Sequence, residues 1–362
     1  MEQDIRFCTA TDGVRLAYAV SGEGPPLVMA ATWLTHLEHQ WRSLAWRPWL
    51  DVFAREYRLL RHDSRGCGLS DRDTEALSFE NWVGDLERVV DAAGYERFAM
   101  VATCWGGPVA IEYAARHPER VSRLVLYATY ARGRLRQSDR PSQVETGRAL
   151  LKLTQLGWGQ ETHALAQVWA GAFQPGGSAE HRRSWCEQMR HATSARTAAR
   201  LLEIGWHTDV TQAARTLRCP VLVVHPEGDC VVPLAEGRLL AGLLPNCRFL
   251  QLKSENHMPL ADEPELARLM DELRRFLGEP EATAPMPCAL PLHELTPRER
   301  AVLERIAEGL DNGEIAASLG LSEKTVRNHI TRVFDKISVK HRYEAIVRAR
   351  DAGLAGRDRL AH

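Results

Sequence analysis

The chain has 362 residues, a formal net charge of -1, 44% hydrophobic and 26% charged residues. That balance excludes a disordered or fibrous chain and any wholesale wrapping in nucleic acid, though not a local basic patch. A single core rarely exceeds about 250 to 300 residues, so the length predicts two domains.

In chain order, Ile5 to Phe7 and Val14 to Val20 read as strands around an Asp12-Gly13 turn. Leu27 to Ala30 and Tyr57 to Leu60 are short apolar runs of the kind that fill a buried sheet. Trp82, Val83, Leu86, Val89 and Val90 recur at helical spacing from Phe79 to Ala93, and Gly94 ends that helix. A strand over Phe98 to Ala102, a helix over Gly107 to His117 and a strand over Val121 to Tyr127 follow. Further strands are expected at Val221 to Val224 and Arg248 to Leu252, with a helix from Pro264 to Phe276. This alternation predicts an α/β fold with a mostly parallel sheet. The Trp-rich stretch from about 131 to 217 is too long for one crossover and reads as a helical cap over the sheet's C-terminal edge, where such folds bind ligands.

Residues 279–291 are rich in Pro and Ala without periodicity and read as a linker. All ten Trp precede it, from Trp33 to Trp206. The expected division is therefore 1–278, a linker at 279–291, and 292–362. The eight Cys show no CxxC spacing and no short-range Cys/His cluster, so neither a metal site nor a disulfide framework is expected. The N-terminus lacks a secretory pattern and no run approaches the ~18 apolar residues of a membrane span. A cytoplasmic protein with free thiols, no cofactor and no membrane association is expected.

The segment Val101-Ala102-Thr103-Cys104-Trp105-Gly106-Gly107 joins a strand to a helix. A side chain held on such a sharp turn is exposed, and the following helix directs its N-terminal amides toward it. Here the chain resembles the α/β-hydrolase family. His62 to Asp71 resembles the family's D-x-R-G-x-G-x-S loop, and Thr103 to Gly107 its nucleophile elbow. Val221 to Pro233 resembles the strand and turn presenting the acid, and Ser254 to His257 the loop bearing the histidine. The resemblance implies Cys104 as nucleophile, Asp229 as acid and His257 as base, with Cys where the family usually has Ser. Oxyanion donors are implied at the Trp105 amide and near Trp33. Ala31-Thr32 replaces the family's His-Gly pair, and Pro226 replaces a Gly before the acid turn. Thr32, Trp33, Trp105 and His36 are the expected pocket residues. Asp63 and Arg65 read as a structural ion pair or loop clamp, and His62 and His225 as lining or hydrogen-bonded core. The constellation can either turn over an ester, lactone or thioester or persist only as a pocket.

From Leu295 the helices become short. Thr296-Pro297-Arg298-Glu299 spells a capping box with Pro at the first helical position, and Asp311 with Glu314 repeats it. Ser322 opens a third helix with Val326, Ile330, Val333 and Phe334 inward, and a fourth is expected from His341 to about Ala352. Between 324 and 340 five formal positives oppose one negative, Asp335. Leu295 to Arg300, Ala307 to Leu310, Glu314 to Ala316 and Leu321 to His329 together resemble the LuxR-type (GerE-like) helix-turn-helix family. The resemblance implies that the Lys324 to Lys336 helix reads double-stranded DNA, with Thr325, Arg327 and Asn328 near bases and Lys324, His329, Arg332 and Lys336 at phosphates. It also implies a homodimer. The fusion points to a transcriptional regulator controlled by a small carbonyl-containing or hydrophobic ligand. The alternatives are a cysteine-dependent hydrolase with a localising tail, and an adaptor whose tail contacts protein.

Overall fold

The computed structural model describes residues 2–158, 164–278 and 295–337, with Val339, Arg342, Ala345, Ile346, Ala349 and Leu354. The chain divides into two compact units, Met1–Glu279 and Pro280–His362. The expected linker at 279–291 and Cys288 lie outside the described residues.

In the first unit the elements are β1 (Asp4–Thr9), β2 (Arg15–Ser21), β3 (Pro26–Met29), α1 (Leu37–Arg42), α2 (Arg47–Glu56), β4 (Arg58–His62), α3 (Phe79–Ala92), β5 (Phe98–Thr103), α4 (Gly106–Arg116) and β6 (Val121–Tyr127). The cap follows as a 3-10 turn at Arg134–Arg136, then α5 (Pro141–Gly157), α6 (Ala164–Phe173), α7 (Ala179–Ala192), α8 (Ala195–His207) and α9 (Thr211–Thr216). β7 (Val221–Pro226), α10 (Leu234–Leu243), β8 (Cys247–Leu252) and α11 (Pro264–Gly278) complete the unit.

The eight strands form one sheet in the order β1-β2-β4-β3-β5-β6-β7-β8. β2 runs antiparallel to both neighbours and every pair from β4 to β8 is parallel. Helices cover both faces of the parallel part, so β5, β6 and β7 are almost wholly buried and mostly apolar. Strand order reverses between β3 and β5, which opens a crevice beyond their C-terminal ends. Ala30 to Trp33 and Thr103 to Trp105 leave the sheet there, so topology alone brings the two segments together.

Three helices stand where the sequence reading placed none: α1, α2 and α10. α2 begins with Pro near its N-terminus and buries Trp49, Leu50, Phe53 and Ala54. Burying each large apolar side chain is worth about 1.5–3 kcal/mol, which outweighs the weak local signal. The expected Asp63–Arg65 ion pair is corrected. Arg65 donates to Asp85 at 2.7 and 2.6 Å and to Asp12 at 2.6 Å, while Asp63 accepts from the amides of Leu69 at 2.9 Å and Leu37 at 3.2 Å. Both residues clamp the loop, but through different partners.

In the second unit, α12 (Pro297–Ala307), α13 (Asn312–Leu319) and α14 (Glu323–Lys336) surround a core that includes Val302, Leu303, Ile306, Ile315, Val326 and Val333. Both capping boxes form, and Gly320 terminates α13 at φ 65°, where a side chain would be strained. Most of the expected fourth helix lies outside the described residues; within it Arg342, Ala345, Ile346 and Ala349 are helical, and Ala345 and Ala349 are buried.

Candidate functional site

β5 ends at Thr103 and α4 begins at Gly106, leaving two residues to reverse the chain. Cys104 holds φ at 47°, one of two described non-glycine residues with positive φ. Such a residue is tolerated only when its surroundings over-determine it. Here the Cys104 amide donates to the Tyr127 carbonyl at 3.1 Å, and the Thr129 hydroxyl donates to the Cys104 carbonyl at 2.5 Å. Neighbouring side chains must be absent: a Cβ on Gly107 would overlap the Thr129 side chain, and one on Gly106 would lie 2.8 Å from the Ala31 carbonyl oxygen.

Asp229, on the turn after β7, accepts from the amides of Val231 at 2.8 Å and Val232 at 3.0 Å through Oδ1. Its Oδ2 lies 2.8 Å from His257 Nδ1, and because a carboxylate only accepts, that nitrogen carries the proton. His257 is fixed at both backbone ends, its amide donating to the Phe173 carbonyl at 2.8 Å and its carbonyl accepting from the Tyr127 hydroxyl at 2.9 Å. The imidazole and Cys104 line the same cavity. Burial would depress its pKa, but the charge and hydrogen bond of Asp229, with the Cys104 sulfur close by, outweigh that and lift it to about 10.

Cys104 and His257 open onto a small cavity. Thr32, Trp33, Phe173, Trp185 and Gln188 help to line it. Trp33 stacks on Trp105 with ring centroids 5.8 Å apart, and Trp158, Trp169 and Phe173 also pack against Trp33. The Trp105 amide sits at the start of α4, among the groups that no preceding carbonyl of the helix satisfies. His36 is not among the described residues that line this cavity. As N-cap of α1 it packs against His39 at 4.4 Å, which in turn stacks on His191 at 4.3 Å. His225 is buried core, 2.8 Å from the Val232 carbonyl and 3.6 Å from Asp229.

The sequence reading missed Gln188, Phe173 and Arg134. Arg134 is buried beside the acid loop, donating to the Val231 carbonyl at 2.8 Å with its guanidinium over Trp206 at 5.7 Å. These residues come from the cap, whose contacts with the sheet leave no periodic trace.

On α14, Lys324, Arg327, Asn328 and Arg332 are exposed, while Thr325 and His329 are half-buried. The Thr325 hydroxyl pairs with that of the N-cap Ser322 at 2.8 Å. Lys336 forms an ion pair with Glu299 at 2.7 Å, which directs its charge into the unit. Lys336 and, after it, the capping-box amide of Thr296 hold the Glu299 carboxyl down to about 2.

The family model described as alpha/beta hydrolase fold matches residues 25–264. The chain belongs to the alpha/beta hydrolase fold family. A second model, described as bacterial regulatory proteins of the luxR family, matches residues 293–349, so this alpha/beta hydrolase carries a LuxR-type helix-turn-helix domain. Its hydrolase part is similar to the putative carbamate hydrolase RutD of Azorhizobium caulinodans, 27% identical over 270 residues, which span 73% of this chain and 95% of the relative. It is also similar to the non-heme chloroperoxidase CPO-A1 of Kitasatospora aureofaciens, 27% identical over 257 residues, 69% of this chain and 91% of the relative. Among solved structures, an enol-lactonase from Burkholderia xenovorans superposes with a TM-score of 0.62 at 22% identity, covering 76% of this chain and all of that one. The esterase EaEST from Exiguobacterium antarcticum gives 0.65 at 18% identity over 75% and 99% of the two chains. These superpositions establish the fold. Among the described residues, no helix is long and apolar enough to cross a membrane.

Proposed function

We propose that this protein is a DNA-binding transcriptional regulator whose hydrolase unit binds a small ligand and thereby controls the helix-turn-helix unit, acting as a homodimer in the cytoplasm. The observation that carries the reading is the joining, in one chain, of a basic solvent-facing α14 to an aromatic-lined cavity. Arg327 and Asn328 reach base edges, and Lys324 and Arg332 reach phosphates. A ligand can shift such a protein only through different affinities for two states. Footprinting of genomic DNA fragments with and without candidate esters and lactones tests this. Protection of discrete sites that changes with ligand is expected, and protection without sequence preference at moderate salt would overturn it.

A second reading is favoured by the buried Cys104–His257–Asp229 arrangement, and it is hydrolysis. His257 takes the Cys104 proton, and sulfur bonds to the carbonyl carbon while the amides of Trp105 and Trp33 receive the oxyanion. The leaving alkoxide departs with the proton from His257. Water, deprotonated by His257, then cleaves the thioester and restores the thiol. Multiple turnover lost in Cys104→Ala supports the enzyme. A stable adduct seen by intact mass supports covalent sensing instead.

A further inference from the structure

Three consecutive residues, Asn256, His257 and Met258, each hydrogen-bond the same short stretch of the cap, which runs from Phe173 at the end of α6 to Gly176 before α7. The His257 amide donates to the Phe173 carbonyl at 2.8 Å, the Gly176 amide to Asn256 Oδ1 at 3.0 Å, and Gln174 Nε2 to the Met258 carbonyl at 3.1 Å. The Phe173 ring meets the imidazole edge-on, with centroids 5.1 Å apart. From the other side the loop is braced by Glu263, which accepts from the Ser254 hydroxyl at 2.6 Å and the Leu260 amide at 2.7 Å.

Gln174 is almost wholly buried, and both ends of its carboxamide are used. Nε2 serves the Met258 carbonyl, while Oε1 accepts from Trp185 Nε1 at 3.0 Å. Trp185 belongs to α7 and, with Phe173, Met258, Cys104 and His257, lines the cavity at the nucleophile. A buried amide is costly unless each end is paired, a requirement that an apolar side chain of similar length would not impose. What the carboxamide adds is a directional connection between that cavity wall and the histidine loop.

We infer that Gln174 is a positioning residue, whose carboxamide ties Trp185 to the loop bearing His257 and so keeps the imidazole on Asp229. The 2.8 Å bond from His257 Nδ1 to Asp229 is made by a ring hung from this backbone, and hydrogen bonds weaken steeply as their angle departs from linear. Any displacement of Trp185 therefore reaches the base through Gln174 and Met258.

This inference rests on the reading in which His257 is the base for Cys104, and its test separates the two. Low-field proton NMR of the full-length protein follows the proton that His257 donates to Asp229, identified by its loss in His257→Gln. In Gln174→Met, which keeps the length and removes both bonds, exchange of that proton with water should rise about tenfold, the equivalent of one lost hydrogen bond. The pH midpoint of the imidazole's titration should fall toward 6.5. Trp185→Phe removes only the donor to Gln174 and should change both readings in the same direction by less. It carries the test by itself if Gln174→Met does not fold. A lowered urea midpoint with wild-type exchange and titration would mark a merely structural role and overturn the inference, as would the absence of a His257-dependent low-field proton in wild type. The expected changes in a protein that turns over no 4-nitrophenyl acetate would uphold the positioning role and remove the hydrolysis reading instead.

Discussion

Replacing Gly107 with Ala adds one methyl group where the elbow has no room. The new Cβ would overlap the Thr129 hydroxyl and lie 2.6 and 2.7 Å from its Cβ and Cγ2. Thr129 is fully buried and β-branched, so it cannot rotate clear without breaking its 2.5 Å bond to the Cys104 carbonyl. Overpacking of this kind costs about 1–3 kcal/mol, and the lost hydrogen bond about 0.5–1.5. Together about 1.5–4.5 kcal/mol of the hydrolase unit's stability should disappear. Gly84 provides the opposite case, because it lies within α3 and a Cβ there would meet nothing within 4 Å. Gly84→Ala should therefore stabilise by about 0.4–1 kcal/mol. Urea unfolding followed by tryptophan fluorescence reads this unit alone, since all ten Trp precede position 207. A Gly107→Ala midpoint equal to wild type, or a Gly84→Ala midpoint below it, would refute the packing argument.

His257 is lifted from its ordinary 6.5 to about 10, so its contribution to stability is complete below pH 6.5 and is lost as pH rises through about 10. Wild type should lose more stability than His257→Gln between pH 7 and 10, measured by urea midpoints. Glu299 is shifted the other way, from 4.5 to about 2, so its contribution is present above pH 4.5 and fades as pH falls toward 2. Acid titration of the helical circular dichroism should show that loss in wild type and a smaller one in Glu299→Gln. Arg332→Ala should lower the salt slope of DNA binding by about 1, as expected for one lost phosphate contact. Lys336→Ala should instead lower the stability of the helix-turn-helix unit, because its ammonium serves Glu299; a full unit of lost salt slope at unchanged stability would contradict that assignment.

Much of this protein is legible in its sequence. The capping boxes at Thr296 and Asp311 need residues only three positions apart, so the sequence carries them whole. Buried parallel strands are equally plain, because β6 and β7 are covered on both faces and are mostly apolar. The positions of Cys104, Asp229 and His257 followed from motif likeness and chain order. α2 escaped notice because its helical state is imposed by what Trp49 and Phe53 pack against, and α1, six residues long, has too little length to show a period.

What the order of residues determined by itself was the local chemistry: which segments alternate, where helices begin, and which short neighbourhoods can hold a thiol on a tight turn. What only the tertiary structure decided was company. His257 and Asp229 are 28 positions apart and meet at 2.8 Å, Arg65 chooses Asp85 over the nearer Asp63, and Lys336 turns inward to Glu299. Each choice depends on chain segments closed into register by the sheet or by the helical core, and pairings of that range leave no periodic signal in the sequence that makes them.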